Sequence, residues 1–301
     1  MNVVKETRNS KNVIFSFIQH SDAWKLSTKN TVDQFYLRNL NEILRIHKRY
    51  AKVIDADYYF FHGNIVKYVK RKIPNLKNFR LFIQYYDLAR YLFMSELCKE
   101  YDKVLYIDTD IIPITRDTLF DEMDSEDAVY LHKIPLFDGP NCPFYKEMKT
   151  YNKILKDKTY KYNGHTNHGV LGGTGDGPAS FIRNHADKII QFTKKIDDTF
   201  EEELVVYIGI EHYYMYMMGT AGVDFNLKYF KGQGWNCYVL NNEFPKLSSL
   251  KNMKSYRFLH FCGGEAKKFF EKKKKAIRNL VKHKIGDYNG AFKTWREQKK
   301  I

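Results

Sequence analysis

The chain has 301 residues, 44% apolar and 16% aromatic, which is ample for a buried core and excludes an intrinsically disordered protein. Fifty Lys and Arg against 35 Asp and Glu leave a net charge of +15, which favours an acidic partner: nucleic acid, a phosphorylated ligand or an anionic membrane surface. No stretch approaches the roughly 20 apolar residues of a membrane span, and Met1-Asn2-Val3-Val4-Lys5 contains no apolar signal core. Cys98, Cys142, Cys237 and Cys262 are too scattered for a zinc knuckle or a disulfide framework. The expectation is a cytoplasmic protein with reduced thiols, peripheral membrane association being the alternative.

After a polar leader, Val13-Ile14-Phe15-Ser16-Phe17-Ile18 reads as a buried strand that ends in the polar loop Gln19-His20-Ser21-Asp22. Leu37, Leu40, Leu44 and Ile46 recur at near-helical spacing between Asp33 and Tyr50, and Asp57-Tyr58-Tyr59-Phe60-Phe61 reads as a second strand closed by His62-Gly63. A second helix follows, with Asn78 as its cap and Leu81, Tyr85, Leu88 and Leu92 on one face, running to about Glu100. Lys103 to Ile107 is a third buried strand, stopping at Asp108-Thr109-Asp110. Strands alternating with helices predict an α/β fold around a central, mostly parallel sheet, with ligands at the carboxyl ends of the strands, where Gln19 and His20 fall. Between Pro135 and Pro178 the pattern breaks into loops, and His168 to Gly177 reads as a glycine-rich turn. The apolar positions Phe269, Phe270, Ile277, Leu280, Val281 and Ile285 predict a last helix, stopped by Gly286.

Asp108 and Asp110 carry the sharpest chemistry. In an extended chain residues i and i+2 face the same way, so both carboxylates can serve one hard cation, which in turn neutralises a diphosphate. The short D-x-D pattern is also compatible with a plain polar strand end. Apolar residues on both sides, Val104 to Ile107 and Ile111 to Pro113, place the acids where a counter-charge is required.

The segment Tyr101-Asp102-Lys103-Val104-Leu105-Tyr106-Ile107-Asp108-Thr109-Asp110-Ile111-Ile112-Pro113 resembles the D-x-D region of retaining nucleotide-sugar glycosyltransferases of the GT-A fold, particularly the glycogenin and bacterial α-galactosyltransferase group. His260-Phe261-Cys262-Gly263-Gly264-Glu265-Ala266-Lys267 resembles that group's H-x-x-G-x-x-K segment, with one extra residue before the lysine. The resemblance implies a Mn²⁺ or Mg²⁺ ion on Asp108, Asp110 and His260, and a UDP-sugar donor met by Gly263 and by Lys267 or Lys268. It also implies a donor contact from the preceding helix, where Asp87 and Arg90 stand three apart; a surface ion pair would use the same spacing. Asn167-His168-Gly169 resembles the group's N-x-G segment beside the donor sugar, and Glu211 falls where relatives place an acid under the reactive carbon. Glycine-rich turn and helix-N-terminal acid are the plain structural alternatives for these two.

Thirteen Lys and Arg lie between Lys267 and Ile301 against Glu271, Asp287 and Glu297, so most of the excess charge is C-terminal. Two further basic clusters run from Lys67 to Arg80 and from Lys146 to Lys161, the latter interleaved with tyrosines. The expected organisation is a GT-A-like catalytic domain over residues 1–266 and a basic helical extension over 267–301. The expected activity is metal-dependent transfer of a sugar, with retention, to an acceptor hydroxyl. DNA carrying a hydroxylated base is narrowly preferred as acceptor because a polyanion groove would use all three basic clusters. An anionic membrane glycolipid reached by an amphipathic C-terminal helix is the alternative, and a non-catalytic module that binds nucleic acid or sugar nucleotide is the competing class.

Overall fold

Strand β2 (Asn12–Gln19) lies where the β-branched and aromatic run predicts, with every residue from Val13 to Gln19 buried. The computed structural model describes residues 1–19, 31–74, 82–134, 165–184, 186, 227–231, 237–238 and 256–288. The fold is mixed α/β, as expected. The described residues form two units, one drawn from Met1–Gly63, Ile107–Leu119 and Gly232–Ile301, the other from Asn64–Tyr106 and Phe120–Lys231.

In the first unit β2 pairs in parallel with β3 (Asp57–Gly63), from Val13 opposite Asp57 to Gln19 opposite Gly63, with helix α1 (Thr31–Val53) between them in sequence. That is the strand–helix–strand unit the periodicity predicts. The leader is not a polar tail: β1 (Asn2–Glu6) pairs antiparallel with β3. It was illegible because an edge strand needs little burial, and its residues are exposed or half-exposed. A small sheet in the same unit has the order β5 (Ile111–Pro113), β10 (Phe258–His260), β9 (Cys237–Tyr238), the first pair antiparallel and the second parallel.

The last helix of the unit, α4 (Gly263–Ile285), buries Phe270, Ile277, Leu280, Val281 and Ile285, and Phe270 packs edge-on against Phe35 of α1 at 5.1 Å. It stops where predicted. Gly286 has φ +87° and donates its N–H to Lys282 O, while Arg49 Nε donates to Ile285 O at 2.8 Å; a Cβ on Gly286 would lie 2.6 Å from the Arg49 guanidinium.

The second unit contains α2 (Ile65–Lys72), α3 (Phe82–Leu97) and the strands β4 (Lys103–Ile107, to Tyr106 within this unit), β7 (His165–Thr174), β6 (Val129–Ile134) and β8 (Leu227–Tyr229), in that order across the sheet. Strand β6 is antiparallel to β7 and parallel to β8. Asn64 caps α2 by accepting from Lys67 N–H, and Ile65, Tyr68 and Val69 turn inward, so the second basic cluster begins on a helix rather than a loop. The expected cap at Asn78 lies outside the described residues.

The glycine-dense segment is corrected most. As far as Thr174 it is a strand, β7, paired with β6 up to Gly173, and Gly172 and Gly173 serve packing; the turn begins only at Gly175, at φ +48°. A Cβ at Gly172 would come within 3.0 Å of Met123, Tyr130 and Phe230, and one at Gly173 within 2.4 Å of Met94 Sδ. Glycine reads as a breaker in sequence, whereas here large side chains from α3 and β6 fill the space it leaves.

Candidate metal and donor site

Strand β4 ends at Ile107 and β5 begins at Ile111, so Asp108-Thr109-Asp110 is a tight turn, closed by Ile111 N–H donating to Asp108 O at 3.1 Å. The two carboxylates are therefore gathered by a turn, not by the two-residue period of one strand, and Ile111-Ile112-Pro113 enters a different sheet instead of prolonging β4. Strand β10 completes the cluster: its register sets His260 opposite Ile111, and Phe261 N–H donates to Asp110 O at 3.0 Å. One ligand atom each from Asp108, Asp110 and His260 lie within 4.8 Å of one another. Asp110 and His260 are buried and Asp108 is half-buried, which leaves one side of the cluster open to solvent.

Asp110 is the electrostatic centre. Burial alone would raise its pKa, but the Lys267 ammonium and His260 outweigh burial and hold the carboxyl well below its ordinary value. Lys267 Nζ donates to Asp110 Oδ2 at 2.6 Å and to Phe261 O at 2.9 Å, and it sits 5.4 Å from the ring centres of Phe35 and Tyr36. His260 Nε2 lies 3.3 Å from Asp110 Oδ1, and Tyr36 OH donates to Oδ2 at 3.3 Å. Two hard carboxylates and one imidazole suit a divalent ion such as Mn²⁺ or Mg²⁺.

Of the two lysines the sequence leaves open, Lys267 points into the cluster and is 3% exposed, whereas Lys268 is on the outer face of α4. Gly263 is the first residue of α4, beside the cluster in sequence. Gln19 ends β2 and is buried; His20 and Glu211 lie outside the described residues. Asn167 is on β7 opposite His132, at the irregularity after Leu131, and its side chain is outside the described residues. Asp87 and Arg90 belong to the second unit. They form an ion pair that is buried, not on the surface, and the Arg90 guanidinium lies 5.4 Å from the Tyr86 ring centre and 5.3 Å from that of Tyr106. Sequence reasoning missed Tyr36, since one tyrosine on an amphipathic helix gives no signal of its own.

The C-terminal helix is amphipathic, but its apolar face is already covered within the first unit. Glu42 of α1 accepts from both Arg278 Nε and Arg278 Nη2, and Tyr288 OH adds a third bond at 3.2 Å. Of the apolar residues in the membrane reading, Phe270, Ile277 and Leu280 are therefore buried in the fold, while Phe269 is half-buried, and the lysines Lys268, Lys272, Lys275 and Lys282 are exposed. No helix among the described residues is long and apolar enough to cross a membrane.

No protein-family model and no curated protein matches the sequence. Among solved structures, the chain is similar to the galactosyltransferase LgtC in complex with donor and acceptor sugar analogues, at 12% identity and TM-score 0.44 over 95% of this chain and 99% of that one. It is similar to a glycosyltransferase involved in glycosylating the major capsid of PBCV-1, at 14% identity and TM-score 0.40 over 87% and 98%. Mouse xyloside xylosyltransferase 1 is a third, at 10% identity and TM-score 0.41 over 84% and 98%. At these identities, and with TM-scores below 0.5, activity and substrate rest on the site itself.

Proposed function

We propose that the protein is a metal-dependent glycosyltransferase that moves a sugar from a nucleoside diphosphate, with UDP as the expected nucleotide, to an acceptor hydroxyl with retention at the anomeric carbon. The observation that carries this reading is the convergence of Asp108, Asp110 and His260 beside Lys267, from segments about 150 residues apart in sequence. Asp108, Asp110 and His260 would hold Mn²⁺ or Mg²⁺, which when bound supplies positive charge against the departing diphosphate. Lys267, released from Asp110, would turn to a donor phosphate, with Gly263 allowing close approach of backbone. Gln19, His20, Asp87 and Arg90 are proposed donor contacts. Glu211, or the side-chain carbonyl of Asn167, would stabilise the cationic character that develops at the anomeric carbon.

For the acceptor we propose a hydroxyl on DNA before one on a membrane glycolipid. Support comes from the basic side chains exposed along α4, which fit a polyanion, and from the burial of Phe270, Ile277 and Leu280 on the same helix.

Incubation with UDP-sugars and Mn²⁺ tests the reaction: slow hydrolysis that stops on chelation and in Asp110→Ala is expected. Turnover that survives both refutes the metal reading, a product of inverted configuration refutes retention, and UDP-sugar binding without any turnover favours the non-catalytic module. For the acceptor, duplex DNA and anionic vesicles are compared across a salt series. Because α4 is part of the core, charge reversal at Lys272 and Lys275 is the informative change rather than truncation. Duplex binding that falls by about one log unit per log salt for each phosphate contacted supports DNA. Vesicle binding without duplex binding at low salt overturns it.

A further inference from the structure

The Asp108–Asp110 turn is held at both ends by side chains that neither the D-x-D nor the histidine motif contains. On the incoming side, Ser16 of β2 donates its Oγ–H to Ile107 O at 2.7 Å. On the outgoing side, His47 of α1 places Nε2 2.6 Å from Ile111 O. The two anchors meet each other: Ser16 Oγ is 3.1 Å from His47 Nδ1, and Tyr58 OH lies 3.5 Å from the same nitrogen. Ser16, His47, Ile107 and Ile111 are fully buried and Tyr58 is 1% exposed. A carbonyl can only accept, so His47 carries its proton on Nε2 and donates it to Ile111. Burial holds the imidazole at about 4, against weaker upward pulls from the Ile111 carbonyl and the Asp110 charge, which keeps it neutral.

We infer that Ser16 and His47 form a buried clamp that fixes the separation of the Ile107 and Ile111 carbonyls and thereby the geometry of the Asp108 and Asp110 carboxylates, making both of them positioning residues for ion binding. The inference rests on the proposed metal site for its functional consequence, but the clamp itself is a property of the ion-free chain. The turn has only three residues, Asp108, Thr109 and Asp110, and is closed by Ile111 N–H donating to Asp108 O. Without the clamp, the Ile107 and Ile111 carbonyls each lose a side-chain donor, and the strands that flank the turn can shift relative to β10, which brings His260. Partners of this sort orient ligands and are worth about 10- to 100-fold in metal affinity where they have been removed.

The test uses the full chain in four forms: wild type, Ser16→Ala, His47→Leu and the conservative His47→Gln, whose amide can still donate to Ile111 O. Two readouts are taken. In the ion-free protein, amide exchange is expected to accelerate at least about tenfold at Ile111 and Phe261 in Ser16→Ala and His47→Leu, with Gly286, which closes α4, unchanged. In a Mn²⁺ titration followed by spin resonance, the same two variants are expected to bind about tenfold or more weakly, with His47→Gln recovering part of the loss. Should His47→Leu fail to fold, Ser16→Ala and His47→Gln carry both readouts. Wild-type exchange and wild-type Mn²⁺ affinity in Ser16→Ala overturn the clamp, as does an equal loss of protection at Gly286. If wild type itself binds no Mn²⁺ while turn exchange still accelerates, the metal reading falls and the clamp stands.

Discussion

Helix α4 meets two buried carboxylates with three cations, and the two encounters differ in kind. About four turns into the helix, Arg278 grips Glu42 with both arms of its guanidinium fork, Tyr288 adds a third bond, and Lys274 lies 3.6 Å away. Burial would raise the Glu42 carboxyl, but Arg278 holds it below its ordinary value, and the planar two-point contact leaves little to exchange. Near the start of the helix, Lys267 meets Asp110 as a single flexible point charge, with His260 and Asp108 alongside. One site joins its carboxylate to a two-point guanidinium fork; the other pairs a one-point ammonium with a nitrogen and an oxygen that an ion can claim. Burial of a carboxylate therefore does not by itself mark a functional site, and the exchangeability of its partners does.

The largest break in that contrast is expected at Asp110. Asp110→Ala should lower turnover with a UDP-sugar by more than about 100-fold, because it removes a proposed ion ligand and leaves Lys267 buried without its carboxylate. Assays of initial rate alongside thermal melts separate the two effects.

The next effect is on stability against pH, and it belongs to His47, which faces Asp110, Tyr58 and Ser16. The unfolded chain protonates this imidazole near 6.5 and the folded chain only near 4, so the unfolded state takes up the proton first. Its contribution is complete above about pH 6.5 and is lost as pH falls towards 4, by about 1.4 kcal/mol per unit. Denaturant titrations at pH 7 and pH 5 should show that slope, and His47→Gln should lack it.

Glu42→Gln should then cost about 2 kcal/mol of stability through the weakened Arg278 fork while leaving the KM for donor unchanged, which is the opposite pattern to Asp110. Gly286→Ala should cost about 1 kcal/mol, since φ +87° disfavours a side chain and the new Cβ would displace Arg49 from the end of α4. A melting temperature unchanged by Gly286→Ala would contradict the helix stop described above.

How much of this was legible in the sequence follows from what each feature depends on. Strands β2, β3 and β4 and helices α1 and α4 announce themselves through apolar period, because each buries a continuous face. Strand β1 does not, since an edge strand with exposed residues resembles a tail, and β7 does not, since its glycines imitate a turn while they are accommodating Met94, Met123 and Phe230. The resemblance of two short motifs groups Asp108, Asp110 and His260 with either Lys267 or Lys268. The turn that gathers the carboxylates, the Ser16–His47 clamp behind it and the partner of Lys267 are matters of tertiary register, set by β10 pairing with β5, and no local spacing encodes them.

Ion binding by three specific side chains is the centre of the proposed chemistry. A Mn²⁺ titration of wild type, Asp108→Ala, Asp110→Ala and His260→Ala, each checked for a folded melt, measures it. The expected result is one ion per chain in the presence of UDP, with affinity reduced at least about tenfold in every single variant. Wild-type affinity in His260→Ala, or no saturable Mn²⁺ site in the wild type, would contradict the three-ligand centre.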